Sequence, residues 1–227
     1  MKDYCIVSFG KGHNFERGLE RLKNRCDELD IPFVGFNNYP DGCPTHQESP
    51  FAFKFFCIRE VLKQGYKKIL WLDTSVIIKG DISDIYDSIT KKGYFFIHIH
   101  DLGTYCHDKA LKTLGITREE SFKMNCLQGT NFGLNFEFDC VRKFFHDMML
   151  LAVDGITFPG PHNNNEHKAS KDHRVRGHRH DQTAMSVVSI RNGMNHWTMG
   201  GEGPWFIHDR EFVKSVASTV EEIDCSE

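Results

Sequence analysis

An acidic and a hydroxyl side chain directly follow a run of apolar residues in this sequence. Residues 69–75 read Ile-Leu-Trp-Leu-Asp-Thr-Ser, so Asp73 and Ser75 come after a predicted buried strand. Ligands of open α/β sheets bind beyond the carboxyl ends of the strands. Oxygen ligands suit hard divalent cations, which also neutralise charge on a diphosphate. We therefore predict a cation and diphosphate site here, although a turn-capping role explains Asp73 alone equally well.

A second polar cluster opens a helix predicted over residues 181–192. Residues 177–183 read Gly-His-Arg-His-Asp-Gln-Thr. The free N–H groups at a helix N-terminus attract anions, and His178, Arg179 and His180 would add positive charge for a diphosphate. Asp181 is then expected to be ionised at pH 7, and an ionised carboxylate can accept a proton as a general base. The alternative is that Asp181 only caps the helix.

Further candidates lie at the end of the first predicted strand and on the helix that precedes Asp73. Ser8, Phe9 and Gly10 end the strand, and glycine lets the backbone approach a ligand closely. Lys54 could reach a phosphate, or it could be an ordinary solvated helix residue. Trp71 stands two residues before Asp73, so strand alternation places both side chains on one side of the strand. We therefore expect Trp71 to lie inside the ligand-binding cleft beside Asp73 or at its edge.

The elements that must position these residues alternate between strand and helix. Apolar runs predict strands, and apolar residues at helical spacing predict helices between them. This order favours an α/β fold with a parallel sheet and helices on both faces. The predicted strands are residues 5–9, 32–36, 68–72 and 94–99, with a strand–turn–strand over 127–136. The predicted helices run from about Phe15 to Leu29, from an N-cap at Ser49 to Gly65, from Asp81 to about Ile89, over 138–153 and over 181–192.

Composition limits the classes of protein to consider. The 227 residues are 40% hydrophobic and 26% charged, as in one soluble domain. The net charge of −3 does not favour nucleic acid as a partner. Eight cysteines without a CxxC pair indicate free thiols in a reducing compartment. The first residues show no signal-peptide pattern and no apolar run is long enough to span a membrane, so we expect a cytoplasmic enzyme or an excised domain.

In combination, these motifs resemble those of GT-A glycosyltransferases, which use nucleotide-sugar donors. The Trp-Leu-Asp-Thr-Ser segment resembles the DXD region of that family, with Ser75 in place of the last acid. Asp181 and Gln182 resemble an Asp-Gln step that grips the donor sugar, and His208 matches a late metal-ligating histidine. Residues 128–133, Gln-Gly-Thr-Asn-Phe-Gly, resemble the segment that lies against the donor sugar, although turn chemistry explains them almost as well.

The resemblance implies a set of roles over a single domain spanning residues 1–227. Residues 1–100 would form a nucleotide-binding half and residues 101–227 a donor-sugar and acceptor half. Asp181 would be catalytic, and Mn²⁺ or Mg²⁺ would be the cofactor. The donor would be a nucleotide-sugar, UDP-hexose by default, and the acceptor a glycan or glycoconjugate. The implied metal ligands are Asp73, Ser75 and His208. The implied donor-binding residues are Ser8, Phe9, Gly10, Lys54, Trp71, Asp73, Thr74, His178, Arg179 and Gln182.

Several alternatives stay open at the level of sequence. The catalytic base could be Asp181, Asp101 or Asp209. The protein could instead be a sugar nucleotidyltransferase or a non-catalytic nucleotide-sugar-binding module, the latter because Ser75 replaces an acid. The histidines of residues 159–180 have no zinc-binding spacing, so this segment is predicted to be a mobile polar loop.

Overall fold

Strands and helices alternate along the computed structural model, which describes residues 3–195, 198–199 and 205–209. The strands are β1 (Tyr4–Phe9), β2 (Phe33–Phe36), β3 (Lys68–Leu72), β4 (Val76–Ile78), β5 (Tyr94–Phe95), β6 (Ile97–Asp101), β7 (Asn125–Leu127), β8 (Asn131–Asn135), β9 (Thr198–Met199) and β10 (Phe206–His208). The helices are α1 (His13–Glu28), α2 (Phe53–Lys63), α3 (Ser83–Lys92), α4 (Asp108–Thr113), α5 (Arg118–Ser121), α6 (Asp139–Leu151) and α7 (His180–Arg191). Short 3-10 turns occur at Gly103–Tyr105 and Asn165–His167.

A five-stranded sheet in the order β2-β1-β3-β8-β5 forms the centre of the fold. β1 pairs in parallel with β2 and with β3, whereas β8 runs antiparallel between β3 and β5. Four of the five strands therefore point the same way, as the strand–helix order predicted. Two smaller sheets, β10-β4 and β7-β6-β9, extend the molecule beyond the ends of the central strands.

Side chains that alternate along the central strands build a core on each face of the sheet. Ile69 and Trp71 of β3 belong to the core under α2 and α6, whereas Leu70 and Leu72 belong to the core under α1 and α3. All four of these side chains are completely buried. The prediction of helices on both faces of a mostly parallel sheet is therefore confirmed.

The prediction that Ser49 caps α2 is wrong. The helix begins at Phe53, after a turn, and the preceding Ala52 supplies no side-chain cap. Ser49 is buried, and its hydroxyl donates instead to the carbonyl oxygen of Ala152, 2.7 Å away. A hydroxyl that finds a distant acceptor satisfies its hydrogen bond without capping, which sequence position alone cannot reveal.

Two predicted units of strand structure are divided between different sheets. Residues 94–99 form β5, which joins the central sheet, and β6, which pairs with β7. Residues 127–136 contain the end of β7 and all of β8, and these strands do not pair with each other. Gln128 to Thr130 therefore cross from one sheet to the other rather than forming a hairpin turn.

The His-rich segment forms a polar loop with one short 3-10 turn, and this loop is packed against the domain. Its two ends meet where the His178 N–H donates to the Pro161 carbonyl, 3.0 Å away. Ala169, Ser170 and Val175 are buried. These contacts place the segment beside the first turn of α7. Its polar loop character is confirmed, and its mobility stays a prediction.

All seven cysteines in the described part of the chain are free thiols. No helix among the described residues has the length and apolarity needed to cross a bilayer.

Candidate active site

A buried lysine lies at the carboxyl end of β3. Lys54, in the first turn of α2, is 2% exposed. Its ammonium donates to the Gly129 carbonyl at 2.8 Å and lies 2.9 Å from Asp181 Oδ2 and 3.4 Å from Asp73 Oδ1. A buried ammonium is retained only where charges and acceptors compensate for its desolvation, and these three groups do so. We call Lys54, Asp73 and Asp181 the charge triad.

The backbone of β3 and its neighbour β8 position Asp73. Asp73 is the first residue after β3, and its N–H donates to the Thr130 carbonyl at 2.8 Å. The indole N–H of Trp71 donates to Asp73 Oδ1 at 2.7 Å. Within the described part of the chain, Oδ2 of Asp73 has no hydrogen-bond or ion-pair partner, and the side chain is 22% exposed. That oxygen is the group of the triad most accessible to a ligand.

Asp181 lies inside the first turn of α7, so it is not the N-cap residue. The N-cap position belongs to Arg179, which supplies no side-chain cap. Asp181 is 2% exposed, and its Oδ2 is in ionic contact with Lys54 but receives no well-directed hydrogen bond. A simple capping role therefore does not account for this carboxylate.

Burial and charge oppose each other within the triad. Burial lowers the pKa of Lys54, but the charges of Asp181 and Asp73 outweigh that effect and raise its pKa above the ordinary value. Burial raises the pKa of Asp181, and the ammonium of Lys54 acts in the opposite direction. Lys54 therefore stays protonated, and its charge compensates for a carboxylate that has almost no contact with water.

Gly129 brings the backbone of the β7–β8 connection against the triad. A Cβ at this position would lie 2.9 Å from Asp181 Oδ2 and 3.3 Å from Lys54 Nζ, so a larger residue would displace the charged groups. The sequence indicated small residues here, but it did not indicate that the Gly129 carbonyl accepts a hydrogen bond from Lys54. The one sequence feature that could have indicated this bond is the position of Lys54 among the apolar residues of α2, because a lysine there is buried only if it is paired.

The histidines beside Asp181 do not supply the expected positive charge. Burial lowers the pKa of His178 to about 3 and that of His180 to about 4, and their mutual repulsion acts in the same direction for His178. His178 is completely buried: its Nδ1 accepts from the His107 N–H at 3.3 Å, and its Nε2 lies 2.9 Å from the Thr157 carbonyl. Both rings are neutral at pH 7, and His178 cannot contact a donor. The cation beside Asp181 is Lys54.

Arg179 and Gln182 lie on either side of the same turn. The guanidinium of Arg179 stacks on Tyr105, 4.1 Å from the ring centroid, and donates to the His162 carbonyl at 2.9 Å. Gln182 is half-buried, and its Cγ would be 3.0 Å from a Cβ at Gly129, so it borders the triad. Arg179 is thus held away from the triad by its partners, whereas Gln182 adjoins it.

The candidates at the end of β1 are mostly packed against the domain. Ser8 is completely buried, and its hydroxyl has no hydrogen-bond partner among the described residues. Phe9 is 8% exposed and stacks on Phe53 with ring centroids 4.4 Å apart. A Cβ at Gly10 would lie 2.5 Å from the Phe15 carbonyl, so glycine is needed there for α1 to pack. These contacts are structural.

Trp71 was predicted to lie inside the cleft that binds the donor or at its edge, and its side chain is completely buried. It does lie on the same side as Asp73, beneath that residue, and it orients the carboxylate through its indole N–H. The ammonium of Lys54 is 6.0 Å from the centroid of its ring. Trp71 therefore helps to orient the Asp73 carboxylate from within the core.

The remaining predicted ligands come together beside Asp73. Thr74 is 4% exposed, and Ser75 follows at half-buried depth, where its carbonyl accepts from the Asp209 N–H at 2.9 Å. Pairing of β10 with β4 aligns His208 with Val76. Residues 203–204, which precede β10, lie outside the described residues.

His208 has neighbours that limit its availability to a metal. Its Nε2 lies 2.7 Å from the side-chain nitrogen of Gln128 and 3.2 Å from the hydroxyl of Thr130. Nε2 therefore accepts a hydrogen bond from Gln128. A metal at this nitrogen would require the Gln128 amide to turn away.

The three candidate bases are placed differently. Asp101 accepts from the backbone and hydroxyl of Thr104, at 2.7 and 2.9 Å, and so holds a turn. Asp209 pairs with Arg21 at 2.5 Å. Of the three, Asp181 is the one that joins the charge triad.

The donor set near Asp73 fits a cation that is shared with a ligand better than one enclosed by protein. No group of three or more His, Cys, Asp or Glu residues in the described part of the chain is arranged to hold a metal ion. Asp73 nevertheless presents an unpartnered carboxylate oxygen, with Ser75 two residues beyond. Mg²⁺ commonly binds through one or two carboxylates and completes its shell with substrate phosphates and water.

Comparison with solved structures identifies proteins of similar fold. A glycosyltransferase involved in the glycosylation of the major capsid of PBCV-1 superposes with a TM-score of 0.53 at 12% identity, covering 93% of this chain and 98% of the other. Mouse xyloside xylosyltransferase 1 gives a TM-score of 0.44 at 8% identity, covering 88% and 85% of the two chains. An active-site mutant of LgtC gives 0.41 at 11% identity, covering 87% and 73%.

The first of these similarities extends over nearly the whole of both chains, and at this level of identity it defines the fold. The chain has the α/β fold of GT-A glycosyltransferases, with a mostly parallel central sheet, as the sequence predicted. No protein-family model and no curated protein matches the sequence.

Proposed function

We propose that this protein is a glycosyltransferase that moves a sugar from a nucleotide-sugar to an acceptor. The observation that supports the proposal best is the charge triad, at the carboxyl end of β3. In open α/β sheets this end of the strands is where ligands bind. The triad combines an accessible carboxylate oxygen on Asp73 with a buried carboxylate on Asp181, and one ammonium lies between them.

Such an arrangement suits sugar recognition. A carboxylate accepts hydrogen bonds from sugar hydroxyls, and fixed charges in a poorly solvated site interact strongly with a bound ligand. Asp181 is held by Lys54 and by the close approach of Gly129, so it needs little reorganisation when a ligand binds. We assign Asp181 first to the donor sugar and second to proton acceptance from the acceptor.

A divalent cation, Mn²⁺ or Mg²⁺, belongs to this proposal. Asp73 would hold it, with Ser75 and His208 as further ligands if the Gln128 amide turns away. The cation would neutralise charge on the leaving nucleoside diphosphate. Asp73, meanwhile, is oriented by Trp71 and by its backbone bond to Thr130.

Incubation with UDP-, GDP- and dTDP-sugars and manganese tests the proposal through release of nucleoside diphosphate. We expect slow hydrolysis of one donor, lost in excess EDTA and in Asp73→Asn. Asp139→Asn removes the same charge at an exposed position of α6. It serves as the matched control and should retain the activity. UDP-hexose is the donor we expect.

The same assay separates the alternatives. Pyrophosphate release from a nucleoside triphosphate and a sugar phosphate would identify a nucleotidyltransferase instead. Donor binding without release of nucleoside diphosphate, for every donor and acceptor tried, would identify a binding module. Full turnover in excess EDTA would eliminate the cation from the proposal.

A further inference from the structure

The segment that leads into α7 concentrates positive charge in an acidic chain. We call residues 162–179 the basic loop. It contains five Lys or Arg residues and two acidic residues, for a formal charge of +3, whereas the whole chain has a net charge of −3. The remainder of the chain therefore carries −6, and the loop stands out against its surroundings.

The basic loop is built around one half-buried amide group, the side chain of Asn164. Asn164 Nδ2 donates to the carbonyls of Ser170 and Val175, both at 3.0 Å, and Oδ1 accepts from the N–H groups of Ala169 and Ser170 at 2.8 and 3.1 Å. The Asn164 N–H donates to the Arg176 carbonyl at 2.8 Å. These bonds set the shape of the loop before any ligand binds, so little ordering entropy is lost on binding.

Two further backbone bonds fasten the loop to the neighbouring elements. The Arg176 N–H donates to the Thr104 carbonyl at 2.8 Å, and the Asp108 N–H donates to the Ala169 carbonyl at 3.0 Å. The loop therefore lies against the segment that follows β6. Its cations are presented from a fixed scaffold.

The cations of the loop differ in their partners. Arg174 pairs with Glu119 at 2.5 Å and with Asp172 at 2.6 Å, and Lys168 pairs with Glu166 at 3.1 Å. Lys171 and Arg176 are exposed and form no ion pair within the described part of the chain. These two residues are the ones free to meet an external anion.

The loop is joined directly to the charge triad. Arg179, its last residue, donates to the carbonyl of His162, its first residue, and Asp181 follows two positions later. The exposed ring of His162 stacks on His180 with centroids 5.9 Å apart. The two ends of the basic loop therefore lie next to the first turn of α7, which carries Asp181.

From this arrangement we infer that the basic loop binds an anionic saccharide, the acceptor of the proposed transfer, through Lys171 and Arg176. The role of this saccharide as acceptor rests on the proposed function, whereas the binding of an anionic saccharide to the loop does not. The diphosphate of the donor would be bound by the divalent cation at Asp73. The exposed Lys171 and Arg176 side chains therefore remain for the acceptor. The patch is small and the rest of the chain is acidic, which fits a short oligosaccharide bearing carboxylate or sulfate groups better than a long nucleic acid.

Binding of defined oligosaccharides to the full chain tests this inference. The probes are a sulfated hexasaccharide, a uronic-acid hexasaccharide, a neutral hexasaccharide and a single-stranded oligonucleotide of equal charge, measured by calorimetry at low and moderate salt. Comparison of the first two distinguishes sulfate from carboxylate recognition. We expect one of the anionic saccharides to bind, with weaker binding at higher salt, and the neutral one not to bind.

Charge reversal provides the decisive comparison. Lys171→Glu with Arg176→Glu should weaken binding of the anionic saccharide by about tenfold or more. The matched control, Lys92→Glu with Lys143→Glu, changes two exposed lysines on α3 and α6 and should leave binding nearly unchanged. Lys171→Gln with Arg176→Gln provides a milder variant, and urea unfolding verifies that each variant is folded.

Three results would overturn the inference. The first is equal weakening by the loop variant and the control, and the second is equal binding of neutral and anionic saccharides. The third is binding of the oligonucleotide as tightly as the saccharide, with the same dependence on Lys171 and Arg176. Donor hydrolysis by the same variants keeps the two proposals apart. Intact hydrolysis without saccharide binding refutes the basic loop alone, whereas saccharide binding without hydrolysis of any donor refutes the transferase alone.

Discussion

Two ion pairs hold the short segment 73–75 from opposite sides, and they differ in burial. On one side, Lys54 and Asp181 are each 2% exposed, and Lys54 also reaches Asp73. On the other side, Arg21 and Asp209 are 33% and 25% exposed. Arg21 donates to the Thr74 carbonyl at 2.9 Å, and the Asp209 N–H donates to the Ser75 carbonyl.

The difference in burial distinguishes an ion pair that holds the backbone in place from an ion pair that forms part of the candidate active site. A partly exposed pair contributes little to stability and can be rearranged by water and salt. A buried pair contributes specificity, and removal of one partner leaves an uncompensated charge. The Arg21 pair therefore fastens segment 73–75, whereas the Lys54 pair fixes the chemistry beside it.

The largest expected effect comes from removing the buried cation. Lys54→Met would leave Asp181 and Asp73 side by side without compensation, and we expect a loss of about 3–5 kcal/mol in the free energy of unfolding. Urea denaturation measures it. The matched control is Lys63→Met, an exposed lysine of the same helix, which should lose less than about 1 kcal/mol.

The double variant Lys54→Met with Asp181→Asn sharpens the result. Because it removes both charges of the closest pair, we expect it to be more stable than Lys54→Met alone. Asp181→Asn alone completes the double-mutant cycle, and an equal effect of Asp181→Asn in the wild-type and Lys54→Met proteins would show that the two charges are not coupled.

The second prediction concerns activity at Asp181. Asp181→Asn should fold, because it preserves shape, but should lose donor hydrolysis and transfer by roughly a hundredfold or more. Steady-state rates and an unfolding curve on the same preparation provide the two measurements. Near-normal turnover in the folded variant would exclude Asp181 from donor binding and proton transfer and leave it only the role of ion-pair partner to Lys54.

The third prediction contrasts the charged triad with the neutral histidines behind it. The folded-state pKa values of about 3 for His178 and about 4 for His180 lie below the unfolded value of about 6.5, so the unfolded chain binds protons first. The associated stability is present above pH 6.5 and is lost as the pH falls towards the folded values. Between pH 6.5 and 5.5 we expect the two to lower the free energy of unfolding by about 2 kcal/mol together.

Replacement of one histidine provides the measurement. His178→Gln keeps a donor and an acceptor on the side chain and should remove about 1 kcal/mol from the loss of stability between pH 6.5 and 5.5. His146→Gln, at an exposed position of α6, should leave the slope unchanged. A slope that is the same in all three proteins would exclude His178 from the acid response.

The smallest effect is expected at the partly exposed pair. Asp209→Asn should lower the free energy of unfolding by less than about 1 kcal/mol, and added salt should reduce the difference further. A loss comparable to that of Lys54→Met would contradict the distinction between the two pairs.

The features that the sequence predicted well depend on local pattern. Residues 68–72 were predicted as a strand and form β3 with those bounds, because a continuous apolar run bounded by Lys67 and Asp73 leaves few alternatives. The order of strands and helices followed in the same way, and it led to the confirmed fold. Ser49 shows the limit, since its hydroxyl bonds to a residue far along the chain.

The charge states around α7 could not be derived from residue types. His178 and His180 were predicted to be cationic from their side chains, but burial determines their pKa values. Lys54 was predicted to reach a phosphate, with an ordinary solvated position as the alternative. Its pairing with Asp73 and Asp181 was not predicted, because these residues become its neighbours only in the folded chain. The sequence motifs singled out Asp73 and Asp181, and tertiary packing determined that Lys54 is the cation between them.

The position of β8 between β3 and β5 has a consequence for how the chain is made. β3 emerges from the ribosome well before β8, its partner on that edge, and β5 pairs with β8 rather than directly with β3. Until residue 135 has been synthesised, the nascent chain carries an unpaired strand edge next to Trp71 and other apolar side chains. Chains stalled after residue 100 should therefore bind chaperones or aggregate, and release of β8 should end that exposure in one cooperative step.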